Sequence, residues 1–139
     1  MLPFTRREIE KAWRQNLKVS EVENRENPQR LLLFYAVECG LKAVIMKREN
    51  LTRTDACDSL SQFGHNINAL LDHLRAGEEL RLSKEVSMRQ IKEPTTQRSV
   101  KSKEFNQMWR YGGETENKPS DADVEKQLLE IVKWIKKEL

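Results

Sequence analysis

The chain has 139 residues, 25 Lys+Arg against 22 Asp+Glu for a formal charge of +3, and 37% hydrophobic residues. This is the size of one domain with one core, residues 1–139, and 34% charged residues with only five Gly and four Pro point to a charge-coated helical protein. A histone-like polycation, a low-complexity or fibrous chain and a disulfide framework are excluded, the last because two cysteines, Cys39 and Cys57, do not suffice.

No charged-then-apolar signal segment opens the chain, and the longest apolar stretch, residues 31–46, is interrupted by Glu38 and Lys42. The expectation is a soluble, cytosolic protein with reduced thiols and no membrane span.

Thr5-Arg6-Arg7-Glu8 has capping-box spacing and predicts a helix carrying Ile9, Ala12, Trp13 and Leu17 on one side. Residues 21–27 are polar and read as its frayed end and a linker, so 1–27 forms an N-terminal helix and linker ahead of a core at 28–139. Asn27-Pro28 reads as an N-cap followed by a first-turn proline, opening a helix over 28–49. Apolar residues from Leu31 to Met46 cover almost its whole circumference, with Glu38 and Lys42 sharing the one polar stripe. Such a helix must be surrounded, by the rest of a bundle or by a second copy. The Glu38/Lys42 pair, at i,i+4, reads equally as a solvated stripe or as part of a site or interface.

Residues 50–61 read as a polar loop with a helical turn after Thr54. Asn66 caps a short helix with Ile67, Leu70, Leu71 and Leu74 inward, and Gly77 supplies a left-handed stop. Leu80, Leu82, Val86 and Ile91 suggest a helix over 78–92, ending before Pro94. Val100, Phe105, Met108 and Trp109 imply another, ended by Gly112-Gly113. Ser120-Asp121-Ala122-Asp123 is a second capping signature, and Val124, Leu128, Ile131, Val132, Ile135 and Leu139 form the clearest amphipathic stripe in the chain. The fold expected is all-α, an up-and-down bundle of four long helices plus one or two short ones.

The chemistry-bearing residues are few. His65 and His73 lie eight residues apart, no CxxC, HxxxH or HExxH spacing occurs, and no glycine-rich phosphate loop is present. No metal and no cofactor are expected. His65, between Gly64 and Asn66 at a helix entry, reads as a capping or loop-holding residue. Trp109-Arg110-Tyr111 puts two aromatics around a guanidinium, which suits a core edge, a cation–π contact or a phosphate or base ligand. Residues 81–110 hold eight basic and three acidic side chains. Arg98, Lys101 and Lys103 with Arg110 and Tyr111 are the candidate residues for a nucleotide or RNA, the alternative being a solvated basic face.

In order, Tyr35-Ala36-Val37-Glu38-Cys39-Gly40-Leu41-Lys42-Ala43, Gly64-His65-Asn66-Ile67 with Leu70-Leu71, Arg110-Tyr111 and the final amphipathic helix resemble the HEPN superfamily over residues 30–139. These are helical bundles of prokaryotic toxin–antitoxin and antiphage modules. The resemblance implies structural roles for Glu38, Lys42 and His65 and pairing as a homodimer or with a larger protein of the same operon. Catalytic members are metal-independent endoribonucleases with Arg, four to six residues, then His. After Arg110 this chain reads Tyr111 to Asn117 with no histidine. The implied protein is therefore a non-catalytic HEPN-like binding or assembly module, of the branch with Arg-Tyr in that place. The alternative is a ribonuclease with a rearranged site in which His65 and Arg110 meet in space.

Overall fold

A computed structural model describes residues 2–139. Its first helix, α1 (Arg6–Ser20), opens with the capping box read from the sequence: Thr5 Oγ1 accepts from the Glu8 amide at 3.2 Å and Glu8 Oε1 from the Thr5 amide at 2.9 Å. Helix α2 (Asn27–Arg48) begins one residue earlier than expected. Glu26 is its N-cap, donating its amide to Gln29 Oε1 at 3.0 Å, and Asn27 is already helical. The Asn27 side chain is used elsewhere, its Nδ2 donating to the Gly113 carbonyl at 3.1 Å. At the other end Asn50 turns left-handed at φ 54°, and the Leu51 amide reaches back to the Met46 carbonyl at 2.8 Å.

Helix α2 is buried along most of its length, from Leu33 and Phe34 to Ile45 and Met46. Its cover comes from α1, α4 (Ile67–His73), α5 (Phe105–Arg110) and α6 (Asp121–Glu138). The chain's own helices thus supply the surround that the apolar circumference demands. The tightest approach is at Gly40. A Cβ there would lie 2.7 Å from Trp13 Cε3 on α1 and 2.9 Å from Ile135 Cδ1 on α6, so three helices close together only because this residue has no side chain.

Between the long helices the chain forms a 3-10 turn (Thr54–Ala56), helix α3 (Asp58–Phe63), then α4. Helix α3 falls partly within the stretch expected as loop. Asn66 caps α4 as expected, Oδ1 accepting from the Ala69 amide at 3.1 Å. The left-handed stop falls on Arg75 (φ 52°), not on Gly77: the Ala76 amide bonds the Leu71 carbonyl and the Arg75 amide bonds the Asp72 carbonyl, both at 3.1 Å. Gly77, at φ 105°, instead leads into a second 3-10 turn, Glu78–Leu80.

The helix expected over 78–92 is not formed. Strand β1 (Glu85–Lys92) pairs antiparallel with β2 (Thr95–Lys101), with Val86 opposite Val100 and Met88 opposite Arg98. The physical reason is alternation: Val86 and Val100 are buried while Glu85, Ser87, Ser99 and Lys101 are exposed, a period of two that the wider-spaced apolar residues obscured. A two-stranded ribbon is marginal alone. This one is held at its base by residues 114–116, where the Arg89 amide donates to the Glu114 carbonyl at 3.0 Å and the Glu116 amide to the Ser87 carbonyl at 2.9 Å. Val100 therefore lies on a strand, and after a 3-10 turn (Ser102–Glu104) helix α5 begins only at Phe105. Among the described residues, three long helices, three short ones and a hairpin replace the all-α arrangement expected. None of the helices is long and apolar enough to cross a membrane.

Gly40→Ala tests the three-helix contact. Alanine gains about 1 kcal/mol of helix propensity, but overpacking a close contact costs about 1–3 kcal/mol, so the melting temperature is expected to fall by a few degrees. A melting temperature unchanged or raised, followed by circular dichroism, contradicts the close approach at this residue.

Candidate functional site

The polar stripe of α2 is Tyr35, Glu38 and Lys42, at steps of three and four that put all three on one face. Glu38 is only 8% exposed. Its Oε2 accepts from Lys42 Nζ at 3.0 Å, and its Oε1 lies 2.6 Å from His65 Nδ1. An ionised carboxylate only accepts, so the proton of that short contact sits on Nδ1, and the Nε2 edge of a neutral His65 is left as an acceptor.

Local structure holds His65 in place. Gly64 ends α3 at φ 53° and ψ −125°, a conformation that side chains rarely adopt, and Asn66 caps α4, so the imidazole projects from a two-sided turn back onto α2. Its ring lies 5.8 Å from the Tyr35 ring, centroid to centroid, tilted by 48°.

Arg110 reaches the hydroxyl of the same tyrosine from the end of α5. In α5, Phe105, Asn106, Met108 and Trp109 are buried, and Trp109 is fixed edge-on to Phe34 and by donation from Nε1 to Asp121 Oδ1 at 2.9 Å. This anchoring leaves Arg110 and Tyr111 at the exposed helix end. Arg110 Nη2 donates to the Tyr35 hydroxyl. Its pKa is pushed up from the ordinary arginine value, first by Tyr35 and then by Tyr111, so it is a cation at every working pH. Because its partners are phenols, its charge is not neutralised within the site, whereas that of Lys42 is offset by Glu38. The cluster carries a net positive charge and suits an anion.

The structure therefore brings together Glu38, Lys42, His65 and Arg110, through Tyr35. It sets the remaining candidates apart. Arg98 lies on β2 and donates from Nε and Nη2 to the Arg89 carbonyl at 3.3 and 2.7 Å. Lys101 faces solvent opposite Glu85 on the hairpin, and Lys103 is exposed in the turn after it. Tyr35 is absent from the sequence-based candidates because, inside the apolar stretch of α2, its ring reads as one more core residue. Its position three residues before Glu38, on the same stripe, is the signal that marks it. Cys39, beside Glu38, is an inert thiol: burial, then the Glu38 charge, push its pKa up to about 11. His73 is exposed, 3.3 Å from Glu49. Among the described residues no group of three His, Cys, Asp or Glu side chains is placed to hold a metal ion.

Comparison of the chain with family models, with curated proteins and with solved structures finds no match. The residues themselves carry the functional argument.

The Glu38–His65 contact is tested by a double-mutant cycle in urea. Glu38→Gln keeps the shape but removes the charged acceptor, with an expected cost of about 1–3 kcal/mol, and His65→Ala costs less because the ring is half-exposed. The double variant is expected to be less destabilised than the sum by at least 0.5 kcal/mol, as contacting groups are. Additivity within about 0.3 kcal/mol contradicts an energetic link between them.

Proposed function

We propose that the chain is a non-catalytic, HEPN-like binding module that takes a phosphate group of RNA at the Tyr35–His65–Arg110 cluster. It serves as an accessory or regulatory component of a toxin–antitoxin or antiphage system and assembles as a homodimer or with a larger protein of the same operon. The carrying observation is convergence: His65 and Arg110, 45 residues apart in sequence, both rest on Tyr35, with the arginine charge uncompensated. A guanidinium and a phenol hydroxyl at one spot are donors a phosphate oxygen requires. The order of the elements supports the HEPN-like part of the reading: a buried central helix with one polar stripe, a His-Asn helix entry, an Arg-Tyr helix end and a long last helix. The finer architecture of that family, its bundle of long helices, belongs to the same proposal.

One observation favours a second reading, that of a ribonuclease with a rearranged site. Glu38 orients His65 Nδ1 and leaves Nε2 as a proton acceptor close to Arg110's tyrosine, the arrangement a general base needs. Binding is preferred because the family's arginine–histidine spacing is missing.

Fluorescence anisotropy with single-stranded RNA separates these. Wild type binds, affinity falls steeply with salt as counterions are released, and Arg110→Ala weakens binding at least about tenfold, the worth of a charge-assisted contact. Charge reversal at Arg98, Lys101 and Lys103 weakens all sequences alike. In EDTA, total RNA stays intact. Cleavage that disappears in both His65→Ala and Arg110→Ala establishes the ribonuclease, and absence of RNA binding at low salt overturns the RNA reading.

A further inference from the structure

At the same end of α5, a groove of about 490 Å3 runs between α5 and the hairpin. This is the size of sites that hold small ligands. Met88 from β1 and Met108 from α5 are its half-buried and buried apolar contributions. Tyr111 stands at its rim, 77% exposed, with an open ring face. Gln97 and Gln107 line it with amides that have no hydrogen-bond partner among the described residues. Arg98, pinned across the hairpin to the Arg89 carbonyl, puts a fixed cation on the wall, and the Glu104 carboxylate lines the same groove.

Gly113 keeps the floor of the groove clear. A Cβ there would lie 2.4 Å from Met88 Cε, the mobile end of its side chain, and 3.0 Å from the Met108 carbonyl oxygen, so a side chain would displace the Met88 methyl from the groove and crowd the end of α5.

Each component matches one part of a nucleotide. An exposed phenol ring with thioethers in the same groove suits the face of a base, and stacking of that kind tolerates any base. A carboxamide both donates and accepts, as the hydrogen-bonding edge of an unpaired base does. A guanidinium suits the backbone phosphate. Tyr111 follows Arg110 directly, so a base in the groove places its neighbouring phosphates within reach of the Tyr35–Arg110 cluster.

We infer that this groove binds one unpaired nucleobase of a single-stranded RNA, stacked on Tyr111 and read at its edge by Gln97 and Gln107. The inference rests on the RNA reading above and narrows it: a duplex, whose bases are stacked and paired, does not fit.

The test uses the full chain, a labelled single-stranded RNA and a matching strand whose bases have been removed. The base-bearing strand is expected to bind about tenfold more tightly, the worth of one stacked base. Tyr111→Leu abolishes that difference, whereas Tyr111→Phe, which removes the hydroxyl that meets Arg110 but keeps the ring, preserves it. Gln107→Ala weakens only the base-bearing strand. Arg110→Ala weakens both strands equally. Equal affinity of wild type for the two strands, or a Tyr111→Leu variant that still distinguishes them, overturns the base pocket while leaving phosphate binding intact. If Arg110→Ala changes nothing but Tyr111→Leu removes the preference, the pocket stands and the phosphate reading falls. Failure of wild type to bind either strand overturns both.

Discussion

The Glu38 carboxylate is a charge placed inside an otherwise apolar helix, and it has to be met. A buried carboxylate left without a partner is destabilising, and Lys42 on the same helix and His65 from the turn before α4 both meet it. That requirement sets the rotation of α2. Once Glu38 and Lys42 face the turn before α4, Tyr35 one turn earlier faces the same side, and every other side of α2 is free to be buried.

Arg110 joins this arrangement through packing. Trp109, held by Phe34, Phe105 and Asp121, seats α5 across the start of α2, and the next residue falls beside the Tyr35 hydroxyl. The end of α5 thus stands between two faces of different character. On one side lies a charged cluster with ordered donors, on the other a softer groove lined by methionines and amides. Since Arg110 and Tyr111 are consecutive, movement of the hairpin or of α5 affects both faces together.

What the sequence made legible was local. The capping boxes at Thr5 and Ser120, the Asn66 cap and the amphipathic stripe of α6 depend on residues three or four positions apart, and all are present in the fold. The hairpin was not legible because residues 114–116, well outside it, complete the pairing at its base, and because only Val86, Val100 and their half-buried neighbours Met88 and Arg98 mark its inner face. The left-handed stop of α4 went to Arg75 although a glycine stood two residues on, since the position of the last helical turn, set by Leu71 and Leu74 in the core, outweighs the residue preference. The site was half legible. Glu38, Lys42, His65 and Arg110 stood out as polar residues in apolar or motif contexts, but their meeting point on Tyr35 is a product of helix packing that spans 75 residues.

Nuclear magnetic resonance of the protein with labelled arginine, histidine and tyrosine side chains, titrated with single-stranded RNA, addresses the Tyr35-centred site most directly. The account predicts saturable shifts at Arg110 Nε, His65 Nε2 and the Tyr35 ring, all with one dissociation constant. Shifts confined to other arginines and tyrosines, with those three signals unmoved at saturation, would contradict it.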